Sequence, residues 1–196
     1  EKEDVNEVIH ITLPKVENSG NPEFEKQINQ RIEEELDHLS AEAREQAEAL
    51  KKEAAGQEEP YSPVDFYADY HIHYNQGTLL SFSIDTTTTM ASGYDQRYFF
   101  NLDLETGQEL TLTEVIGQDK LEAADQQIRA QIEQRLAEDP SSFFDFSEEG
   151  GYSGLKADQK FYINENRQVV VVFDEYEIAP GSSGTPEFIL NLPLLK

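Results

Sequence analysis

Apolar and polar residues alternate over residues 5–13, with Ile9, Ile11 and Leu13 on one face and Val8, His10 and Thr12 on the other. A period of two predicts a β-strand, which Pro14 and the polar stretch 17–20 end. Asn21-Pro22 then supplies an N-cap followed by proline at the first helical position, with Glu23 and Glu25 near the positive end of the helix dipole. Phe24, Ile28, Ile32, Leu36, Leu39, Ala43 and Leu50 form one helical stripe, so the pattern predicts a helix over about 22–55, roughly 50 Å long at 1.5 Å per residue. Gly56 is its expected C-cap. The Ala/Glu/Lys-rich half from 40 to 55 has too few large apolar residues for a coiled coil.

After a linker at 57–63 with two prolines, two alternating runs follow. Phe66, Ala68, Tyr70, Ile72 and Tyr74 oppose Tyr67, Asp69, His71 and His73; Leu80, Phe82 and Ile84 oppose Leu79, Ser81, Ser83 and Asp85. Asn75-Gln76-Gly77 between them signals a hairpin. Residues 86–93 lack an apolar period and read as a loop despite four threonines. A third strand is expected over 96–104, turning at 105–108 into a short strand that ends near Leu112. Leu121, Ala124, Ile128, Ile132 and Leu136 mark a second helix, which stops before Pro140. Phe143, Phe144 and Phe146 lie in an acidic loop, either dipping into the core or presenting apolar anchors inside a negative rim. The last strands are expected at 160–163, 169–173 and 186–192. Hairpin-linked strands with two main helices predict an α+β class, an antiparallel sheet packed against those helices in two subdomains sharing one core. The expected division is 1–95 and 96–196.

Composition narrows the function. The 196 residues suit one domain or two small ones. Forty acidic against fifteen basic side chains leave a formal charge of −25. Such a surface repels nucleic acid and anionic lipid and attracts basic proteins and cations, although acidity also serves solubility alone. No cysteine is present, which excludes disulfides, a thiol nucleophile and thiolate metal sites. No segment approaches the ~18 apolar residues of a membrane span, and no signal peptide opens the chain. A start at Glu1-Lys2-Glu3-Asp4 without Met reads as a mature ectodomain or a piece of a longer protein, any anchoring segment lying upstream.

Catalytic chemistry finds little support. His71 and His73, with Asp69 or Asp85, have the makings of a Zn²⁺ site, but the further ligands are missing and an ordinary solvent-facing pair explains them. Close carboxylates such as Asp174, Glu175 and Glu177 suit glycoside hydrolysis, yet forty acids produce such pairs by chance. Gly181-Ser182-Ser183-Gly184 lacks the spacing of a nucleophile elbow, and phosphate, dinucleotide and calcium-loop motifs are absent. The sequence therefore predicts recognition rather than catalysis, with no metal and no cofactor.

Several runs carry a resemblance. Ile11-Thr12-Leu13-Pro14-Lys15, Ile28-Asn29 and the tyrosine-rich strands around Tyr70 and Phe82 resemble the module that precedes the core of RsiV-like anti-sigma factors and accompanies some PdaC-type peptidoglycan deacetylases. The C-terminal half carries the stronger signatures. These are residues 98–112, residues 161–164, the run Val172-Phe173-Asp174-Glu175-Tyr176-Glu177-Ile178-Ala179-Pro180, and Gly184-Thr185-Pro186-Glu187-Phe188. Their order resembles the extracytoplasmic lysozyme-receptor domain of that family. The resemblance implies an ectodomain on the outer face of the cell membrane, joined through one upstream helix to a cytoplasmic segment, absent here, that holds a sigma factor. It also implies that lysozyme, or a similar basic protein, binds outside and triggers regulated proteolysis. The connections between strands are the expected contact surface: Thr86, Thr87, Thr88, Thr89, Met90 and Ser92, with Ala179, Pro180, Gly181, Ser182 and Ser183. Where the family's Pro/Gly loop tends to carry a bulky residue, this chain has Ser182 and Ser183. The competing expectation is a wall-glycan-binding module of an envelope enzyme, with Tyr67 and Tyr94 stacking on sugars.

Overall fold

A computed structural model describes residues 7–54, 64–89, 93–144, 146 and 150–195. In chain order the elements are β1 (Glu7–Ile11), α1 (Pro22–Ala54), β2 (Val64–Gln76), β3 (Leu79–Thr89), β4 (Gly93–Asp103), β5 (Gln108–Glu109), α2 (Leu112–Ile116), α3 (Leu121–Glu138), β6 (Phe161–Ile163), β7 (Val169–Val172) and β8 (Glu187–Ile189). One sheet has the order β1-β2-β3-β4-β5, the other β6-β7-β8. The class is α+β. The five-stranded sheet is mixed, not antiparallel throughout, because β1 runs parallel to β2 with Ile9 opposite Phe66 and Ile11 opposite Ala68. The long crossover through α1 makes that direction possible: a parallel neighbour needs a connection of a dozen or more residues. The expected C-cap, Gly56, lies outside the described residues.

The chain divides into two compact units, one of residues 1–71 with 84–97, the other of 72–83 with 98–196. In the first, Asn21 accepts the Phe24 amide at 3.1 Å and starts α1 as its sequence predicts. Phe24, Ile28, Ile32, Leu36, Leu39 and Ala43 of the predicted stripe are buried, and Ala47 joins them; the side chain of Leu50 lies outside those described. Asn29 brackets the chain leaving β1, accepting from the Val16 amide and donating to the Val16 carbonyl, both at 2.8 Å. In β2 Phe66 and Ala68 are buried, and Tyr67 between them is exposed.

The second unit has its own core, in which Val115, Ile116, Ala124, Ile128, Ile132, Ile163, Val171, Phe173 and Phe188 are almost wholly excluded from solvent. Both rims of its three-stranded sheet are closed by side chains. On the β6 rim, Asn101 donates to the Phe161 carbonyl at 2.8 Å and Ser81 accepts from the Ile163 amide at 2.9 Å. Ser81 in turn donates to Asn101 at 2.7 Å. On the β8 rim, Arg135 and Gln131 of α3 donate to the carbonyls of Glu187 and Ile189 at 2.7 and 3.0 Å. Open sheet edges invite pairing with other chains, and these side chains occupy them.

The expected strand ending near Leu112 is corrected: β5 stops at Glu109, and Leu112 opens α2. Thr111 and Glu114 make a reciprocal capping box there, the Thr111 hydroxyl accepting from the Glu114 amide and the Glu114 carboxylate from the Thr111 amide. The spacing Thr-x-x-Glu is a helix-start signature that outweighs the alternation before it.

Candidate partner-binding surface

The connection after β7 begins with a tight turn. Glu177 donates its amide to the Asp174 carbonyl at 3.1 Å, and its carboxylate accepts the Asp174 amide at 2.9 Å. Tyr176 sits in this turn with φ 65, a left-handed conformation uncommon for a side chain of its size. It is 63% exposed. Its ring lies against Gly181, where any Cβ would collide with it. Glycine at 181 therefore makes the seat that holds the ring.

Ile178 and Ala179 then return to the core. Gly181–Ser183 form a single 3-10 turn, closed by the Ser183 amide on Pro180 at 2.8 Å and the Gly184 amide on Gly181 at 3.0 Å. The Ser183 hydroxyl donates to the Ser142 carbonyl at 2.9 Å. Of the five residues expected here to meet a partner, Ser182 and Ser183 are exposed, Pro180 and Gly181 partly so, and Ala179 is fully buried.

The threonine segment corrects the sequence reading more strongly. Thr86, Thr87, Thr88 and Thr89 continue β3 instead of forming a loop. Cross-strand bonds to β4 hold them there: the Thr87 hydroxyl donates to Asp95 at 2.7 Å and the Thr86 hydroxyl to the Gln96 carbonyl at 3.4 Å. β-branched residues fit a pleated surface without apolar neighbours, so the missing apolar period did not mean a missing strand. Thr86 is buried, Thr87 and Thr88 half-buried and Thr89 exposed. Met90 and Ser92 lie outside the described residues.

The aromatic loop resolves toward the core. Phe143 is buried against Phe188 at 5.9 Å between centroids. Phe146 is half-buried with the Arg129 guanidinium 5.6 Å from its centroid. Of the two histidines, His71 is exposed. His73 is half-buried and stacks on Tyr162 at 4.0 Å, its Nε2 3.0 Å from the Ser83 hydroxyl. Its ring is thus part of the packing, not a solvent-facing group as the alternation implied. Among the described residues no three His, Asp or Glu side chains are grouped to hold a metal ion. No described helix is long and apolar enough to cross a membrane.

Tyr176 is the residue that sequence reasoning passed over. Its signal was available: an aromatic flanked by acids, directly after a fully apolar strand has ended, has no further strand face to occupy.

Residues 1–88 match the family described as Deacetylase PdaC, and residues 113–192 the family described as Protein of unknown function (DUF3298). Across both regions the chain is 29% identical to the anti-sigma-V factor RsiV of Bacillus subtilis, over 93% of its own length and 62% of that protein's. The chain resembles RsiV along nearly its whole length. Crystal structures of DUF3298 proteins from Bacteroides fragilis and Pseudomonas aeruginosa share the fold. Their TM-scores are 0.58 and 0.52 at 20% and 18% identity, covering 82% and 73% of this chain and 65% and 63% of theirs. The chain thus spans less than two thirds of the length of each of these relatives.

Proposed function

We propose that this chain is the extracytoplasmic sensor part of a membrane-anchored anti-sigma factor. The observation that carries the reading is the similarity to RsiV across both modules. In the complete protein an upstream helix anchors the domain, a cytoplasmic segment holds the sigma factor, and occupancy of the outer domain triggers regulated proteolysis. The ligand is lysozyme or a similarly basic protein. A charge of −25 accelerates encounter with such a partner and makes it salt-dependent. Affinity then comes from a few exposed residues, Ser182 and Ser183 with Tyr176 in the second unit and Thr89 at the end of β3 in the first. The chain itself catalyses nothing in this reading.

Titration calorimetry against a basic lysozyme at two salt concentrations tests it. Binding that weakens as salt rises is expected, and no heat at either concentration removes the proposal.

The PdaC match over residues 1–88 favours one other reading, a wall-glycan-binding module of an envelope enzyme such as a peptidoglycan deacetylase. Tyr67 is 44% exposed, and its ring stacks on His10 at 5.2 Å, leaving one face for a sugar. Binding to purified peptidoglycan that survives Tyr67→Ala counts against it.

A further inference from the structure

A cleft of about 260 Å³ in the second unit is lined by Lys156, Asp158, Gln159, Lys160, Asp174 and Glu177. Two ion pairs cross it, Lys156 to Glu177 at 2.5 Å and Lys160 to Asp174 at 2.7 Å. Gln159 fixes the wall between the two lysines, donating to the Val172 carbonyl at 2.9 Å. Three carboxylates against two ammonium groups leave the lining one negative charge in excess. Asp174 and Glu177 close the turn that carries Tyr176, so an exposed ring and two carboxylates share four residues of chain, a span under about 7 Å between turn ends.

We infer that this turn is the docking point for an arginine side chain of a basic protein partner, with Lys156 as the internal cation that the arginine displaces. The inference rests on the sensor reading and adds the chemistry of its contact. A guanidinium is planar and forks onto carboxylates in two parallel bonds, and it stacks on tyrosine faces; an ammonium does the second poorly. The left-handed backbone at Tyr176 and the ring's seat on Gly181 present that face before any partner arrives, which lowers the ordering cost of binding. Lys156 is the cation with fewer bonds in the cleft: it meets one oxygen of Glu177, whereas Lys160 meets both oxygens of Asp174 at 2.7 Å. An exposed ion pair contributes at most about 1 kcal/mol, so a partner can break it.

Calorimetric titration of the whole chain with a basic lysozyme provides the test. Lys156→Gln vacates Glu177 and is expected to tighten binding by about two- to five-fold, the worth of one exposed pair. Lys120→Gln is the control: it also breaks a lysine–carboxylate pair, with Asp119 at 2.7 Å, and changes net charge equally. Tyr176→Asn keeps a residue that tolerates the left-handed backbone and is expected to weaken binding by about two- to five-fold through the lost cation–π contact. Lysozyme with its arginines blocked by phenylglyoxal should no longer distinguish Lys156→Gln from the unaltered chain, whereas lysozyme with acetylated lysines still should. Equal gains from Lys156→Gln and Lys120→Gln, or an unchanged Tyr176→Asn, overturn the arginine site while leaving the sensor reading standing. No binding by the unaltered chain removes both.

Discussion

At the scale of single residues, Ser81 holds the edge of a strand far along the chain. Alternation along β3 placed it on the polar, outward face with Ser83, yet both are completely buried. The reason lies 82 residues downstream, where the outward-facing amide of Ile163 needs an acceptor. No local pattern announces such a demand, because it arises from a strand edge elsewhere in the chain. Buried backbone groups without partners are costly, about 1–3 kcal/mol each. Ser81→Ala is therefore expected to lower unfolding free energy by about that amount, read as a shift in urea midpoint at unchanged slope. A shift no larger than that of an exposed serine such as Ser182 replaced by alanine would count against the rim-closing role. Tyr176 shows the opposite relation. Its exposure was legible, since the apolar run had ended, but its left-handed backbone and its seat on Gly181 were not.

At the scale of elements, α1 and α3 were legible because each carries one continuous apolar stripe, and α3 ends at Glu138, before Pro140, as its sequence predicts. The failures fell where two signals competed: at Leu112, where a capping box outweighed alternation, and at Thr86–Thr89, where β-branching outweighed the absence of apolar residues. The loop that follows α3 is tied back to that helix by one cluster. The Tyr152 hydroxyl donates to Asp125 at 2.7 Å, Arg129 holds the other oxygen of Asp125 at 2.9 Å, and the guanidinium lies 5.1 Å from the Tyr152 ring centroid. Burial first, then the bond to Asp125, push the Tyr152 hydroxyl well above the ordinary tyrosine range. The neutral form is thus the one the fold favours. Its contribution is complete below the unfolded value of about 10 and declines as pH rises from there toward the folded value. Tyr152→Phe lacks the hydroxyl at every pH and is expected to be less stable at neutrality by about 1.5–3 kcal/mol, the range for a bond to a charged acceptor. Urea midpoints across the alkaline range should show the gap between the two proteins narrowing above about pH 10. A gap constant to pH 11 would contradict the assignment.

At the scale of the whole molecule, charge and motif order were readable from the sequence. A break between residues 95 and 96 respects the linear order of the two resembling modules. The compact units interleave along the chain, the second taking the hairpin at 72–83 together with everything from 98 onward. Linear reading has no means of detecting this, since β2 and β3 each belong to one unit at one end and to the other unit at the other end. The hairpin gives the second unit Leu79 for its core, Ser81 for the rim of β6, and His73 for the stack on Tyr162. A fragment of residues 96–196 lacks all three. It leaves the Ile163 amide without its acceptor and Asn101 without its donor, and it opens β4 along the edge that β3 occupied. Each loss is of the order of 1–3 kcal/mol, and together they match the whole stability of a small domain, about 5–15 kcal/mol. The 96–196 fragment is therefore expected to show no cooperative thermal transition by circular dichroism, whereas the 196-residue chain does. Adding a synthetic peptide of residues 72–83 should restore part of the signal if the missing strand is the cause. A sharp transition in the 96–196 fragment alone would mean that the hairpin is dispensable to the unit that contains it.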